Sequence, residues 1–154
     1  LGQAQAIALP IVGRLLAAKR LSETDALKIR VAVQEALLNA FEHGNLELDS
    51  RWKEEILGDT DRFTQTRNTR LCDPKYANRK VAITSWFDGE AIQIVVKDEG
   101  KGFSQDAKKD PEAHELSPYG RGLTLMRNAV DQVVFSCGGS EVTLTKRINR
   151  PRKR

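Results

Sequence analysis

Between Ser22 and Gly44 the chain runs through residues 23–43 without a proline or a glycine, and this stretch constrains the fold more than any other feature. The two residues that most readily break a helix are missing from it, so the sequence predicts one long helix. Ser22, with Asp25 three residues later, resembles a capping box in which Asp stands in for Glu. Gly44 is placed to end the helix. The segment is apolar over most of its surface, yet Glu35, Asn39 and His43 recur every four residues and share one side. Burying a carboxylate and an amide without partners costs on the order of several kcal/mol. The stripe therefore faces water, as the edge of an amphipathic helix would, or something that coordinates it. A divalent cation carried by phosphate would satisfy it. The Asn carbonyl suits a hard ion already neutralised by phosphate, and a Glu one turn away can accept a proton or order a water.

The rest of the chain alternates short elements. Residues 7–21 place Ile7, Leu9, Ile11, Val12, Leu15 and Leu16 at helical spacing, with Pro10 tolerable near a helix start, and predict a short first helix. Residues 46–80 are polar and irregular and are read as a long insertion, with room for helical turns around 51–57 and a break at Pro74. Strands are predicted at 81–87 and 91–97, where Ile92, Ile94 and Val96 alternate with polar residues, joined as an antiparallel hairpin by Asp88-Gly89. A helix follows at 123–130 on Leu123, Met126 and Val130, and a second hairpin pairs 132–137 with 141–147 around Gly138-Gly139. Helices grouped with a mainly antiparallel, mixed sheet make an α+β domain, a two-layer α/β sandwich.

Two glycine clusters flank residues 104–119. Asp98 ends a strand and is followed by Gly100, Gly102 and Phe103. Such a loop lets backbone approach a ligand while the carboxylate accepts a hydrogen bond. Adenine offers a matching donor in its exocyclic amine, whereas guanine places a carbonyl there. Gly120-Arg121-Gly122-Leu123 opens a helix, where free N–H groups and the dipole favour an anion. Each cluster read alone is equally a tight turn or a flexible connector. The P-loop pattern, the dinucleotide glycine fingerprint and the eukaryotic kinase set are missing from the sequence.

Composition narrows the classes. The chain has 154 residues, the size of one domain. Its formal charge of +4 suggests nucleic acid, but Lys146, Arg147, Arg150, Arg152, Lys153 and Arg154 supply six positive charges, so the remainder is net negative. That tail is expected to be a solvated, frayed end, a polyanion contact being the alternative, and no nucleic-acid or membrane partner is expected. No apolar run approaches a membrane span. Cys72 and Cys137 have neither the number nor the spacing of a disulfide framework or zinc site, which fits the cytoplasm. A start at Leu1 suggests an excised domain or processed fragment.

In this order and spacing, the three elements resemble the N, G1 and G2 boxes of the GHKL superfamily of gyrase, heat-shock chaperone, histidine kinase and mismatch-repair ATPases. Within it, Glu35-Ala36-Leu37-Leu38-Asn39-Ala40-Phe41-Glu42-His43-Gly44-Asn45 is most similar to the anti-sigma-factor serine kinases, whose N box ends in His-Gly. The similarity extends over residues 122–134, where Asp131-Gln132-Val133 stands much as Asp-Glu-Val does in that family. The resemblance implies a Bergerat fold over residues 1–148, with the 46–80 insertion and a basic tail at 149–154. It implies ATP and Mg²⁺ as cofactors, Asn39 as the metal ligand, Glu35 as general base toward a serine hydroxyl, and Asp98 as reader of the adenine amine. Gly100, Gly102 and Phe103 would shape the base site, residues 104–119 the lid, and Gly120, Arg121, Gly122 and Leu123 the phosphate end. His43 would tune Glu35 or the metal, or else help end the helix and pack the site. Arg121 is a phosphate-facing catalytic cation or a solvent-exposed turn residue; some relatives carry an Arg before the G2 glycines, where this chain has Ser117, Pro118 and Tyr119. The usual first strand is not found before Ile7. His114 is read as solvated, and Trp52, Trp86 and Phe87 as packing residues.

The implied function is phosphorylation of a serine on a protein antagonist, coupled by partner switching to a sigma factor or another regulator, with a homodimer by family analogy. Glu35 favours this reading, because a pure binder has no need of a base there. The insertion and the missing Arg favour the alternative, a non-enzymatic module in which ATP orders the lid and alters a docking surface. A histidine kinase catalytic domain severed from its dimerisation helices ranks third.

Overall fold

The computed structural model describes residues 10, 12–14, 16–18, 20–49, 52, 62–102 and 121–148. Residues 10, 12–14, 16 and 17 are helical, in line with the first predicted helix, and Val12 is fully buried. The long helix α1 spans Glu23–Asn39. Ser22 caps it, Oγ accepting from the Asp25 N–H at 3.0 Å and donating to Asp25 Oδ2 at 2.8 Å. The carboxylate thus returns to the cap's hydroxyl instead of its backbone N–H, a variant of the capping box. Ala26, Ile29, Ala32, Val33 and Ala36 are buried at helical spacing, and the alanines let α1 lie close to what it covers.

Gly44 does not end this helix. After Asn39 the backbone widens into a π-turn, Ala40–Asn45, in which the Leu46 N–H reaches back five residues to the Phe41 carbonyl at 2.9 Å. The chain then leaves through Glu47 at φ 49°. Gly44 sits inside the wide turn for a reason that lies in the site below. The insertion, expected to be irregular, carries helix α2 over Arg62–Cys72 and a short α3 over Pro74–Ala77. Asp73 caps α3 by accepting from the Lys75 N–H at 2.9 Å, with Pro74 in the first turn where its missing N–H costs nothing. Of the turns expected at 51–57, all but Trp52 lie outside the described residues.

The sheet has four strands, β1 Ala82–Phe87, β2 Ala91–Lys97, β3 Gln132–Ser136 and β4 Glu141–Arg147, in the order β1-β2-β4-β3. Every described pairing is antiparallel, with Ser85 opposite Ile94, Ile94 opposite Leu144 and Leu144 opposite Val133. That register aligns Ile92, Ile94, Val96, Val142 and Leu144 on one face, and all five are buried. Helix α4, Arg121–Ala129, closes the core beside α1 through Met126 and Ala129. The α+β, two-layer reading therefore holds. Trp86 departs from expectation, standing 43% exposed on the opposite face, while Phe87 packs against the core. Two residues counted with the basic tail in the charge balance lie in the strand predicted over 141–147. Lys146 and Arg147 belong to β4; Lys146 reaches Asp25 at 3.5 Å and Asp131 at 3.4 Å, and the Arg147 N–H donates to Asp131 at 2.6 Å. Residues 149–154 lie outside the described residues. Among the described residues no helix is long and apolar enough to cross a membrane.

Candidate functional site

Glu35 and Asn39 lie one turn apart on α1, both half-buried. The first turn of α4 abuts them: a Cβ built on Gly122 would stand 2.8 Å from Glu35 Oε2 and 3.8 Å from both terminal atoms of the Asn39 amide. A Cβ at this position would have to displace the Glu35 carboxylate, the end of a flexible side chain. Asn39 makes no capping hydrogen bond to the π-turn that follows it.

The π-turn brings Gly44 against the strand end after β2. A Cβ on Gly44 would press on the Asp98 carboxylate, 2.5 Å from Oδ1 and 2.6 Å from Oδ2, and a Cβ on Gly100 would collide with the Gly44 backbone. Gly44 is thus required for close approach, not for a left-handed cap. Gly102, at φ 71°, faces the Gly138 carbonyl, and the Asp98 N–H donates to Ser140 O at 2.9 Å. These contacts pin the Asp98 turn between the π-turn and the β3–β4 connection. The start of α4 therefore adjoins the Glu35–Asn39 stripe and the Asp98 turn adjoins Gly44, two contacts on successive stretches of α1 and its π-turn between segments far apart in sequence.

A family model described as the histidine kinase-like ATPase domain matches residues 2–146. The chain belongs to the histidine kinase-like ATPase domain family. No curated protein matches it. Within this ATP-binding family, the contacts of α1 and its π-turn with the Asp98 turn and with the start of α4 make up the candidate site.

Asp98 is 8% exposed, and burial pushes its carboxyl above the ordinary 3.8, opposed by the Gly100 N–H bond and by the charge of Arg79. The Gly100 N–H donates to Asp98 Oδ1 at 2.8 Å. A carboxylate so desolvated and so close to a turn gains from a further donor. His43 Nδ1 lies 2.7 Å from the Leu48 carbonyl; a carbonyl only accepts, so Nδ1 carries the proton and the ring is oriented by the chain leaving the π-turn. Arg121 is exposed at the first position of α4, and Leu123 packs against the core. Phe103, Gly120 and residues 104–119, expected to form a lid, lie outside the described residues.

Sequence reasoning missed Asn45, which is 2% exposed. Its Oδ1 accepts from the Glu99 N–H at 2.9 Å, tying the π-turn to the Asp98 turn, and its buried Nδ2 has no hydrogen-bond partner among the described residues. Asn45 entered the sequence reading only as the last residue of the N-box string, where nothing signals a bond to Glu99, 54 positions away. Also missed was Glu47. Burial pushes its carboxyl up, but the Arg79 hydrogen bond and the charges of Lys101 and Arg79 outweigh that and hold it below the usual carboxylate value.

Proposed function

We propose that this domain is a serine/threonine-protein kinase of the anti-sigma-factor type that binds Mg-ATP and phosphorylates a serine of a protein antagonist. One observation carries the reading: Gly122 is apposed to Glu35 and Asn39 while Gly44 is apposed to Asp98 and Gly100. In each, a Cβ would meet protein atoms closer than 3 Å, so the missing side chain lets these polar segments lie together as the cradle proposed for the ligand.

The residues fit the nucleotide and its ion. Asp98 accepts the adenine amine beside the Gly100 N–H, and the Gly100–Gly102 backbone lines the base. At the other end Gly122 and Arg121 meet the phosphates at the N-terminus of α4, where unpaired N–H groups and the helix dipole favour anions. Among the described residues no cluster of three or more His, Cys, Asp or Glu side chains could hold a metal alone. A cation here therefore comes with its phosphates, and Asn39 adds a neutral oxygen to its shell. Bound Mg²⁺ neutralises charge on the triphosphate. Glu35 takes the proton of the attacking serine hydroxyl at its carboxylate, and the cradle orients the two reactants.

Incubation with γ-labelled ATP and a serine-bearing antagonist encoded beside it tests the reading. Acid-stable label on the antagonist is the expected result. ATP-dependent association without label would replace it with the non-catalytic module, a reading favoured by the insertion packed against the exit of the π-turn. Acid-labile label would mark a histidine kinase instead.

A further inference from the structure

We propose that Arg79, just before β1, is a positioning residue that sets the nucleotide cradle from outside it; the inference rests on the nucleotide reading above. The segment leaving the π-turn has carbonyls that the helix no longer satisfies. Arginines of the insertion take three consecutive ones. Arg79 Nη1 donates to Asn45 O at 2.8 Å, and Arg70 Nη1 donates to Leu46 O at 2.5 Å and Glu47 O at 2.6 Å. The Tyr76 ring lies beneath both guanidinium groups at 5.0 Å, joining them into one unit. Arg79 Nη1 also donates to Glu47 Oε1 at 2.9 Å, a pair only 17% and 18% exposed.

From this clamp two links run to the Asp98 turn. Asn45 Oδ1 holds the Glu99 N–H, and Glu47 Oε2 pairs with Lys101 at 3.6 Å. A third closes the circuit, the Lys80 N–H donating to Glu99 Oε2 at 2.9 Å. Residues 45–47 directly follow Gly44, whose contact with Asp98 and Gly100 leaves no slack. Glu47 sits at φ 49°, a conformation that persists in a non-glycine residue when its surroundings hold it. Releasing the clamp lets residues 45–47 relax, moves Gly44, and misaligns Asp98 with the base it reads. The charge of Arg79 also bears directly on Asp98, against the effect of burial. On this account the insertion is part of the machinery that shapes the cradle.

The test separates affinity from stability. Mg-ATP dissociation constants by calorimetry and melting temperatures are measured for wild type, Arg79→Gln, Arg79→Lys, and Arg79→Met combined with Glu47→Leu. The double variant strands no charge and so stays folded where a single change does not. Arg79→Gln is expected to raise Kd about tenfold, with Arg79→Lys recovering part of the loss because it keeps the charge. The double variant is expected to bind as weakly as Arg79→Gln. Lys146→Met, which breaks a similarly enclosed ion pair far from the cradle, is expected to lower the melting temperature and leave Kd unchanged. Wild-type Kd in folded Arg79→Gln or in the double variant overturns the proposal. If wild type itself binds no Mg-ATP, the nucleotide reading falls and takes this inference with it.

Discussion

Where Gly44 meets the Asp98 turn, backbone lies against backbone and a buried carboxylate; where Gly122 meets α1, backbone faces only the tips of Glu35 and Asn39. The first contact is dry, tied by the Gly100 N–H bond, the Asn45–Glu99 bond and the Ser140 carbonyl. The second is half-open, with side chains that can move. A close-packed interior transmits strain and tolerates little change of volume. Flexible polar tips yield. On the proposed nucleotide reading, the end that takes the base is shaped in advance, and the end that takes the phosphates keeps the freedom that a changing charge requires.

The sharpest way to break this contrast is one added methyl group at the dry end. In Gly100→Ala the new Cβ collides with the carbonyl carbon, oxygen and Cα of Gly44, all backbone. The cost is expected to be about 3 kcal/mol, at the upper end for overpacking, with loss of Mg-ATP binding. Thermal denaturation and calorimetry measure both. A variant that melts and binds as wild type does would show that the contact is loose.

Asp98 comes next in size. Asp98→Ala is expected to abolish preference for ATP over GTP, a change of about tenfold to a hundredfold in the Kd ratio. Asp98→Asn separates reading from stability, since an amide oxygen still accepts from the Gly100 N–H. Burial raises the Asp98 carboxyl above 3.8 in the folded protein. Between the unfolded and folded values the folded state binds more protons, so this group's stabilising contribution is present at acid pH and lost as pH rises through the folded value. Asp98→Asn is therefore expected to melt higher than wild type at neutral pH, and the difference to vanish on acidification. An equal gain at every pH would point to a cause other than the buried charge.

At the open end, Asn39→Ala removes an oxygen offered to the ion and little packing. The affinity gain that Mg²⁺ gives ATP is expected to shrink about tenfold, while metal-free binding stays unchanged. Parallel titrations with and without Mg²⁺ decide it. Equal losses in both would make Asn39 a contact to the nucleotide.

The same contrast explains what could be read from the chain. β2 and β4 match their predicted ranges because alternation and turn glycines are local signals, as are Ser22 and Asp25 at the start of α1. The polar stripe and the glycine pairs were legible as types. Gly44 was misread because a glycine after a helical run looks the same whether it caps the helix or admits Asp98, and apolar periodicity does not separate an α-turn from a π-turn. Helix α2 escaped because none of its residues is buried. Arg62 and Arg70 over Trp52, and Arg70 over Tyr76, attach it instead. A search for apolar stripes is blind to such a helix, and Asp73-Pro74, which opens the next one, was read only as part of an irregular insertion.

Gly122→Ala repeats the first experiment at the open end and should change stability least. Its Cβ meets Glu35 Oε2 at 2.8 Å, the far end of a flexible side chain, with nothing of the backbone in the way. Ala is the better helix former by up to about 1 kcal/mol, which offsets the displacement of one half-buried carboxylate. The melting temperature is therefore expected to stay within a few degrees of wild type. Function should not be so indifferent. If Glu35 takes the serine proton, moving its carboxylate lowers kcat for phosphotransfer by a larger factor than the Cβ beside the phosphates raises KM for ATP. A fall in ATP affinity with unchanged kcat would assign Glu35 to binding and leave the role of base without an owner.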